Sequence, residues 1–468
     1  MIMKRNLTKL ILFSTVMMLL AAGCRKRDAL QADNYVVFET ASQAINALEN
    51  RMTIRLKLAM HTGQDLPVTI NLNELGVAYG TEYTTIPAAT GGQLTVTIPS
   101  GTNEASFEVV KSGGVLFDGD EQIVFDLYRS AAPVFIGVTK KFTLLFGEQV
   151  AGTAALTING GGVTYPNKVF IDLSANRQTA VNRSSWDLGF YTGINEYRVI
   201  LNSSSAMMAK QLNKNDLNTV TATDTIGFST EVAFNQFAPV TSSLPYIDYP
   251  NGDLSRTAIA AVSATDGDNK VYIVNRGLAP GSPAGGRGWK KIRVLRNATG
   301  GYTLQYADIA ATSFNSIDIP KEETSFFRYI SFDNGLVTVE PAKKKWDIAW
   351  TYFSNVTNFG SGEVPYLFQD ILLINRNVQI AKVMTSARAY ADFGEADIAA
   401  QVFMTTQNAI AADWRSGGGP GSAPSVRTDR YYIIKDGDNN YYKIRFTALT
   451  QNGERGYPAF ESVLVKKG

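Results

Sequence analysis

From about Tyr35 to Glu148, apolar and polar positions alternate along the chain. "MTIRLKLAM" puts Met52, Ile54, Leu56, Leu58 and Met60 on one face, and Thr53, Arg55 and Lys57 on the other. "QLTVTIP" repeats the pattern with Leu94, Val96 and Ile98, "ASFEVV" with Ala105, Phe107 and Val109, and "QIVFDLY" with Ile123, Phe125 and Leu127. A period of two means strands with one buried face. Turn residues recur about every ten positions, the spacing of a β-sandwich, predicted over residues 35–150.

Beyond this region the strand patterns come in two matching series. The first, 151–309, runs "KVFIDLSANRQTAV", "WDLGF", "YRVILN", a variable middle, then "VYIVNRG", "WKKIRVLRN" and "GYTLQYADI". The second, 310–468, runs "FFRYISFDNGLVTV", "WDIAW", "DILLIN", a variable middle, then "YYIIKDGDN", "YYKIRFTAL" and "GYPAFESVLV". The shared order predicts an internal duplication into two β-modules. Within "WDIAW", alternation puts Trp346, Ile348 and Trp350 on one strand face. Trp346 and its counterpart Trp186 are expected as core anchors, because a buried indole removes a large apolar area from water. Asp187 and Asp347 are expected to cap a neighbouring turn or to meet an arginine.

The first residues read differently. "MIMKRNLTKLILFSTVMMLLAAGC" has a basic start, an apolar run from Leu10 to Leu20 too short to span a bilayer, and small residues before Cys24. It resembles a bacterial lipoprotein signal peptide, 1–23, with a polar tether at 24–34. That resemblance implies that the Cys24 thiol carries diacylglycerol and its amine an acyl group, two signals that make stable anchoring. The lone cysteine is then used up, so no disulfide forms and each domain stands on its core. Loss of Lys4, Arg5 and Lys9 takes the net charge from +2 to 2 − 3 = −1, which gives no overall pull on nucleic acid.

Candidate chemistry is limited by what the chain contains. A single histidine, His61, argues against a Ser-His-Asp or Cys-His site and against zinc held by His and Cys. His61 is expected at a strand end, in water. "SGGGPGSAP" lacks the Gly-Lys-Ser/Thr of a phosphate cradle and reads as a flexible loop. No local motif promotes a carboxylate pair for glycoside cleavage. The expectation is a binding protein, not an enzyme.

Two family resemblances follow. "GTEYTTIP", "VTIPSGTNEASFEVV" and "DGDEQIVFDL", in that order, resemble the Calx-beta family, which implies an immunoglobulin-like β-sandwich over 35–150; some modules of that family bind calcium through acidic loop tips. Here Lys111 and Ser112 stand where those tips are usually acidic, and Asp118, Asp120 and Glu121 read as a solvated hairpin tip. The C-terminal stretch, through "FFRYISFDNGLVTV", "KKKWDIAW", "ADWR" and "RYYIIKDGDNNYYKIRFTALTQNGERGYPAFESVLV", resembles the HmuY-like family, and the stretch before it does so more faintly. The resemblance implies two mostly-β HmuY-like domains on a lipoprotein of the Bacteroidetes outer membrane, displayed at the cell surface. It further implies haem as ligand, held between two axial side chains and passed to an outer-membrane receptor. Haem iron takes His, Met, Cys or Tyr. With no second histidine, the resemblance points to Met384 and Met404 as the haem pair. Met207 and Met208 are adjacent and cannot approach iron from opposite sides. The alternative is a surface adhesion or accessory module that binds a glycan or a protein without haem.

Overall fold

The computed structural model describes residues 33–45, 49–115, 117, 119–147, 151–418 and 421–468. The signal peptide, Cys24 and most of the tether lie outside the described residues, as does Asp118. The chain is mostly β and divides into two compact units, Met1–Glu148 and Gln149–Gly468.

The first unit contains two five-stranded sheets. One has the order β5 (Tyr83–Ile86), β7 (Glu104–Lys111), β3 (Arg51–Leu58), β1 (Tyr35–Phe38), β9 (Phe135–Ile136). The other has β2 (Ser42–Ile45), β10 (Lys141–Phe146), β8 (Gln122–Ser130), β4 (Leu66–Leu75), β6 (Gln93–Ile98). The alternation predicted this. Ile54, Leu56 and Leu58 of β3, Leu94, Val96 and Ile98 of β6, and Ile123, Phe125 and Leu127 of β8 are buried in one core. At the acidic turn Asp120 is exposed, but Glu121 is buried, with its carboxylate accepting from the Gly119 amide at 3.2 Å. It is therefore part of the turn's own bonding rather than a solvated tip.

In the second unit all sheets are antiparallel. The first holds β11 (Thr153–Thr157), β30 (Glu454–Lys466), β29 (Tyr441–Gln451), β28 (Arg430–Lys435) and β25 (Gln379–Met384). The second holds β16 (Met208–Gln211), β17 (Tyr272–Asn275), β18 (Trp289–Arg296), β19 (Tyr302–Ala307) and β20 (Asn315–Ile319). The third holds β13 (Arg177–Asn182), β12 (Asn167–Asp172), β23 (Ile348–Asn358) and β24 (Glu363–Ile374). The fourth holds β15 (Val199–Leu201), β14 (Leu188–Tyr191), β21 (Phe327–Ser331) and β22 (Gly335–Val337). A two-residue ladder, β26 (Arg415–Ser416) with β27 (Ser425–Val426), completes the set.

The boundary expected at 309/310 falls inside this unit, and the sheets show why. The opening strands of each sequence series pair with the other series. Strand β11 lies on the edge of the sheet built from β25, β28, β29 and β30, and β20 lies on the edge of the sheet built from β16–β19. The hairpin β12–β13 pairs with β23, Phe170 opposite Ala349, and the hairpin β21–β22 pairs with β14, Tyr329 opposite Gly189. Each half thus completes the other's sheets. Neither half can leave without exposing two rows of unpaired backbone groups.

Candidate functional site

The strand exchange brings the two Trp-Asp strings together. Both tryptophans precede their strands, since β14 begins at Leu188 and β23 at Ile348. The period of two therefore does not reach them, and this corrects the expected face. Ile348 and Trp350 pack in one core, whereas Trp346 packs with Ala349, Phe170, Phe327, Tyr329 and Trp186 in another. The two indoles are buried in this shared seam. Trp346 meets Phe170 edge-on at 5.0 Å, and Trp186 meets Tyr329 in the same way at 4.7 Å. Truncating a buried Trp to Ala costs about 3–5 kcal/mol.

Backbone polar groups around the seam are bonded in matching pairs. The Asn202 amide nitrogen Nδ2 donates to Trp186 O at 2.8 Å and Arg183 O at 2.7 Å. Asn375 Nδ2 donates to Trp346 O at 2.9 Å and Lys343 O at 2.8 Å. Asp187 Oδ2 accepts from the Phe332 amide at 2.8 Å, and Asp347 Oδ2 from the Leu173 amide at 2.8 Å. Each aspartate so ties its own string to the end of the other half's hairpin. The asparagines were legible in principle, because "YRVILN" and "DILLIN" both end an apolar run on the same polar residue.

The match breaks at the charges. Arg276, directly after β17, holds Asp187 with two hydrogen bonds, at 2.9 and 3.0 Å, and Arg287 adds an ion pair at 2.8 Å. The residue directly after β28 is Asp436. Burial, then Asp172 and Asp436, push the Asp347 carboxyl well above the usual carboxylate range. The arginine expected for these aspartates is present at Asp187. At Asp347 the turn-capping contact stands instead.

Beside the seam lies a cavity of about 80 Å³ whose wall includes Trp186, Trp346, Lys168, Asp248, Tyr329 and Glu340. Asp248 was not singled out in the sequence, and its loop carries no signature. Its oxygens accept from the Leu201 and Ala258 amides, at 2.6 and 2.9 Å, and burial pushes its carboxyl up to about 7. Glu340 accepts from the Phe326 and Phe327 amides and from the Tyr329 hydroxyl, and burial also raises it. Lys168 is pushed down to about 8 by the same loss of water. The cavity is several-fold smaller than the about 300–1,000 Å³ of common ligand pockets. It does not accommodate a haem ring.

The residues expected to hold haem lie elsewhere. Met384 ends β25 and is half-buried; Met404, exposed, is bonded backbone to backbone with Ile380 at 2.7 and 3.0 Å. Ile380, opposite Met404, and Met384 are four positions apart on one strand, so the two methionine positions share one sheet face, with backbone positions offset by about 13 Å along it. Lys382 points out between them and pairs with Asp413 at 3.2 Å. Met207 and Met208 are buried in two apolar clusters, as core filler. His61 is exposed beyond the end of β3. Among the described residues no group of three or more His, Cys, Asp or Glu could hold a metal ion, and no helix is long and apolar enough to cross a membrane.

Fold and seam together define an antiparallel β scaffold of two interlocked halves. The family model of the HmuY protein matches residues 164–461, in one stretch across both halves, and the chain belongs to the HmuY family. Solved structures are only distantly similar. A Bacteroides vulgatus protein described as a candidate HmuY-like heme binding protein is 10% identical, over 68% of this chain and 94% of its own, at a TM-score of 0.19. A candidate carbohydrate binding protein from Bacteroides ovatus is 12% identical, over 73% of this chain and 98% of its own, at 0.19. The apo-form Calx CBD1 domain is 16% identical, over 25% of this chain and 97% of its own, at 0.22. At these TM-scores the likenesses decide neither fold nor ligand. No curated protein matches the chain.

Proposed function

We propose that this chain is a lipid-anchored envelope protein that binds haem or a related tetrapyrrole without catalysis. Its first unit serves as a Calx-beta-like spacer, and its second unit, a fused duplication, carries the ligand. Family membership over 164–461 supports this reading. The observation that carries the site is the placement of the methionines. Of the four in the second unit, Met384 and Met404 stand outside the core on one sheet face, while Met207 and Met208 are sealed in it. Met384 and Met404 would hold such a ring through soft thioether donors to its iron, and the Lys382–Asp413 pair would have to part to admit it.

The test is a hemin titration of the full chain in detergent micelles, read against a micelle blank. A sharpened Soret band lost in both Met384→Ala and Met404→Ala is the expected result. An unchanged spectrum at micromolar hemin overturns it. A second reading, binding of a glycan or protein, draws on exposed apolar side chains of the same unit, among them Phe237, Phe359 and Val402. A glycan array or a pull-down of envelope proteins would then return a specific partner where hemin does not bind.

A further inference from the structure

The first unit carries an exposed patch at the end where the chain enters it. Tyr35 at the start of β1, Tyr128 near the end of β8, Phe135 of β9 and Val138 just beyond it all stand in solvent. Val138 is 98% exposed, and Phe135, against whose ring Tyr35 packs at 6.1 Å, is 56% exposed. The topology makes them one group. Strand β9 pairs in parallel with β1, Tyr35 opposite Phe135. The Leu127 amide then donates to Lys140 O at 2.8 Å, which brings the chain after Val138 back to the end of β8. Arg129 and Lys140 flank this crossing, exposed and without an ion-pair partner among the described residues. The nearby carboxylates are engaged. Asp33 accepts from the Tyr35 hydroxyl at 3.1 Å, Asp65 accepts from the Ser100 amide at 2.8 Å, and Asp126 pairs with Lys141 at 3.6 Å. Exposed rings beside uncommitted cations suit a lipid headgroup layer, with the rings at the apolar boundary and the cations at phosphate.

We infer that this end of the first unit docks on a phospholipid bilayer, with Tyr35, Tyr128, Phe135 and Val138 in the headgroup layer and Arg129 and Lys140 against phosphates. The inference rests on the lipid anchor proposed above. Where the chain starts decides the occupant. Asp33 comes nine residues after Cys24 (33 − 24), so even a fully extended tether keeps this end within about 30 Å of the anchored residue. That confinement holds the patch at high effective concentration over the membrane, so a contact too weak to recruit a free protein is enough. A bilayer met by this end does not reach the opposite one. Leu75 of β4, also exposed, pairs opposite Gln122, about 25 Å along β8 from Ser130. Strand β10 runs from Lys141 at the patch toward that far end, where Leu145 pairs with Gln122, so the chain leaves the unit on the side away from the lipid.

The experiment uses the lipidated full chain in vesicles of phosphatidylethanolamine and phosphatidylglycerol. Cys24 is the only cysteine, and the anchor takes up its thiol, so Val138→Cys supplies a single site for a solvent-sensitive fluorophore. Its emission should shift to the blue and be quenched by lipids brominated near the headgroup. The same label at Leu75→Cys should show neither effect. Arg129→Gln combined with Lys140→Gln should lower the ratio of docked to undocked chains, read from the quenching at position 138, by about tenfold or more. Emission at position 138 that stays water-like and unquenched, on chains that float with the vesicles, overturns the docking and leaves the anchor standing. A blue shift without quenching means that protein, such as a second copy of the chain, covers the patch, and this also overturns it. So does equal quenching at positions 75 and 138. A chain that neither floats with the vesicles nor shields its own cysteine fails the anchor, and the inference falls with it.

Discussion

The two aspartates of the Trp-Asp strings sit at matching places in the fold but in opposite electrostatic surroundings, so one substitution made at both should give opposite results. Asp187 is fully buried, and the side chains of Arg276 and Arg287 beside it are each only 8% exposed. Asp187→Asn removes the charge that both guanidiniums face. Breaking a buried pair by removing one partner costs about 3–5 kcal/mol. Arg276 keeps Asp333, whose carboxylate is 61% exposed, so the loss falls near the lower end, about 3 kcal/mol. Asp347 has a carboxyl raised by burial and by neighbouring carboxylates. Its folded value lies above its unfolded one. Its contribution is therefore fully present below the unfolded value and is lost as pH rises through the folded one. Asp347→Asn keeps an oxygen for the Leu173 amide and removes that loss. At neutral pH it should leave stability unchanged or higher, and the advantage should vanish in acid. All five tryptophans lie in the second unit, so urea unfolding followed by tryptophan fluorescence reads that unit alone. Equal destabilisation by the two substitutions at neutral pH would refute the reasoning.

Further outcomes follow from single features. Asp248, raised to about 7, stabilises the unit in acid and loses that contribution as pH rises through about 7, by at most on the order of 4 kcal/mol; Asp248→Asn should flatten the fluorescence-detected stability between about pH 4 and 7. Gly160→Ala puts a Cβ 2.2 Å from the Trp350 ring and 2.3 Å from Gly456 O, so it should lower the urea midpoint by the equivalent of about 1–3 kcal/mol or more. Cys24→Ala should abolish incorporation of a fatty-acid label and release the chain from the membrane fraction, since one apolar run of about a dozen residues does not span a bilayer.

The sequence by itself determined the strand content, the alternation that builds the first unit's core, the paired strings and the burial of their tryptophans. These are local properties. A side chain's face follows from its neighbours at i±2, and an indole prefers the interior wherever it stands. The tertiary structure decided which strands pair. Alternation marks a strand as half-buried but does not name its partner, so 151–309 and 310–468 read as two modules where the chain folds as one unit with exchanged hairpins. It also decided the break of the period before β14 and β23, which moved Trp186 and Trp346 off the face they would share with Leu188 and Ile348. The opposite charges at Arg276 and Asp436, and the cavity beside the seam, exist only because residues more than 80 positions apart meet. A buried group's surroundings in space are a property of the whole fold, which no spacing along the chain records.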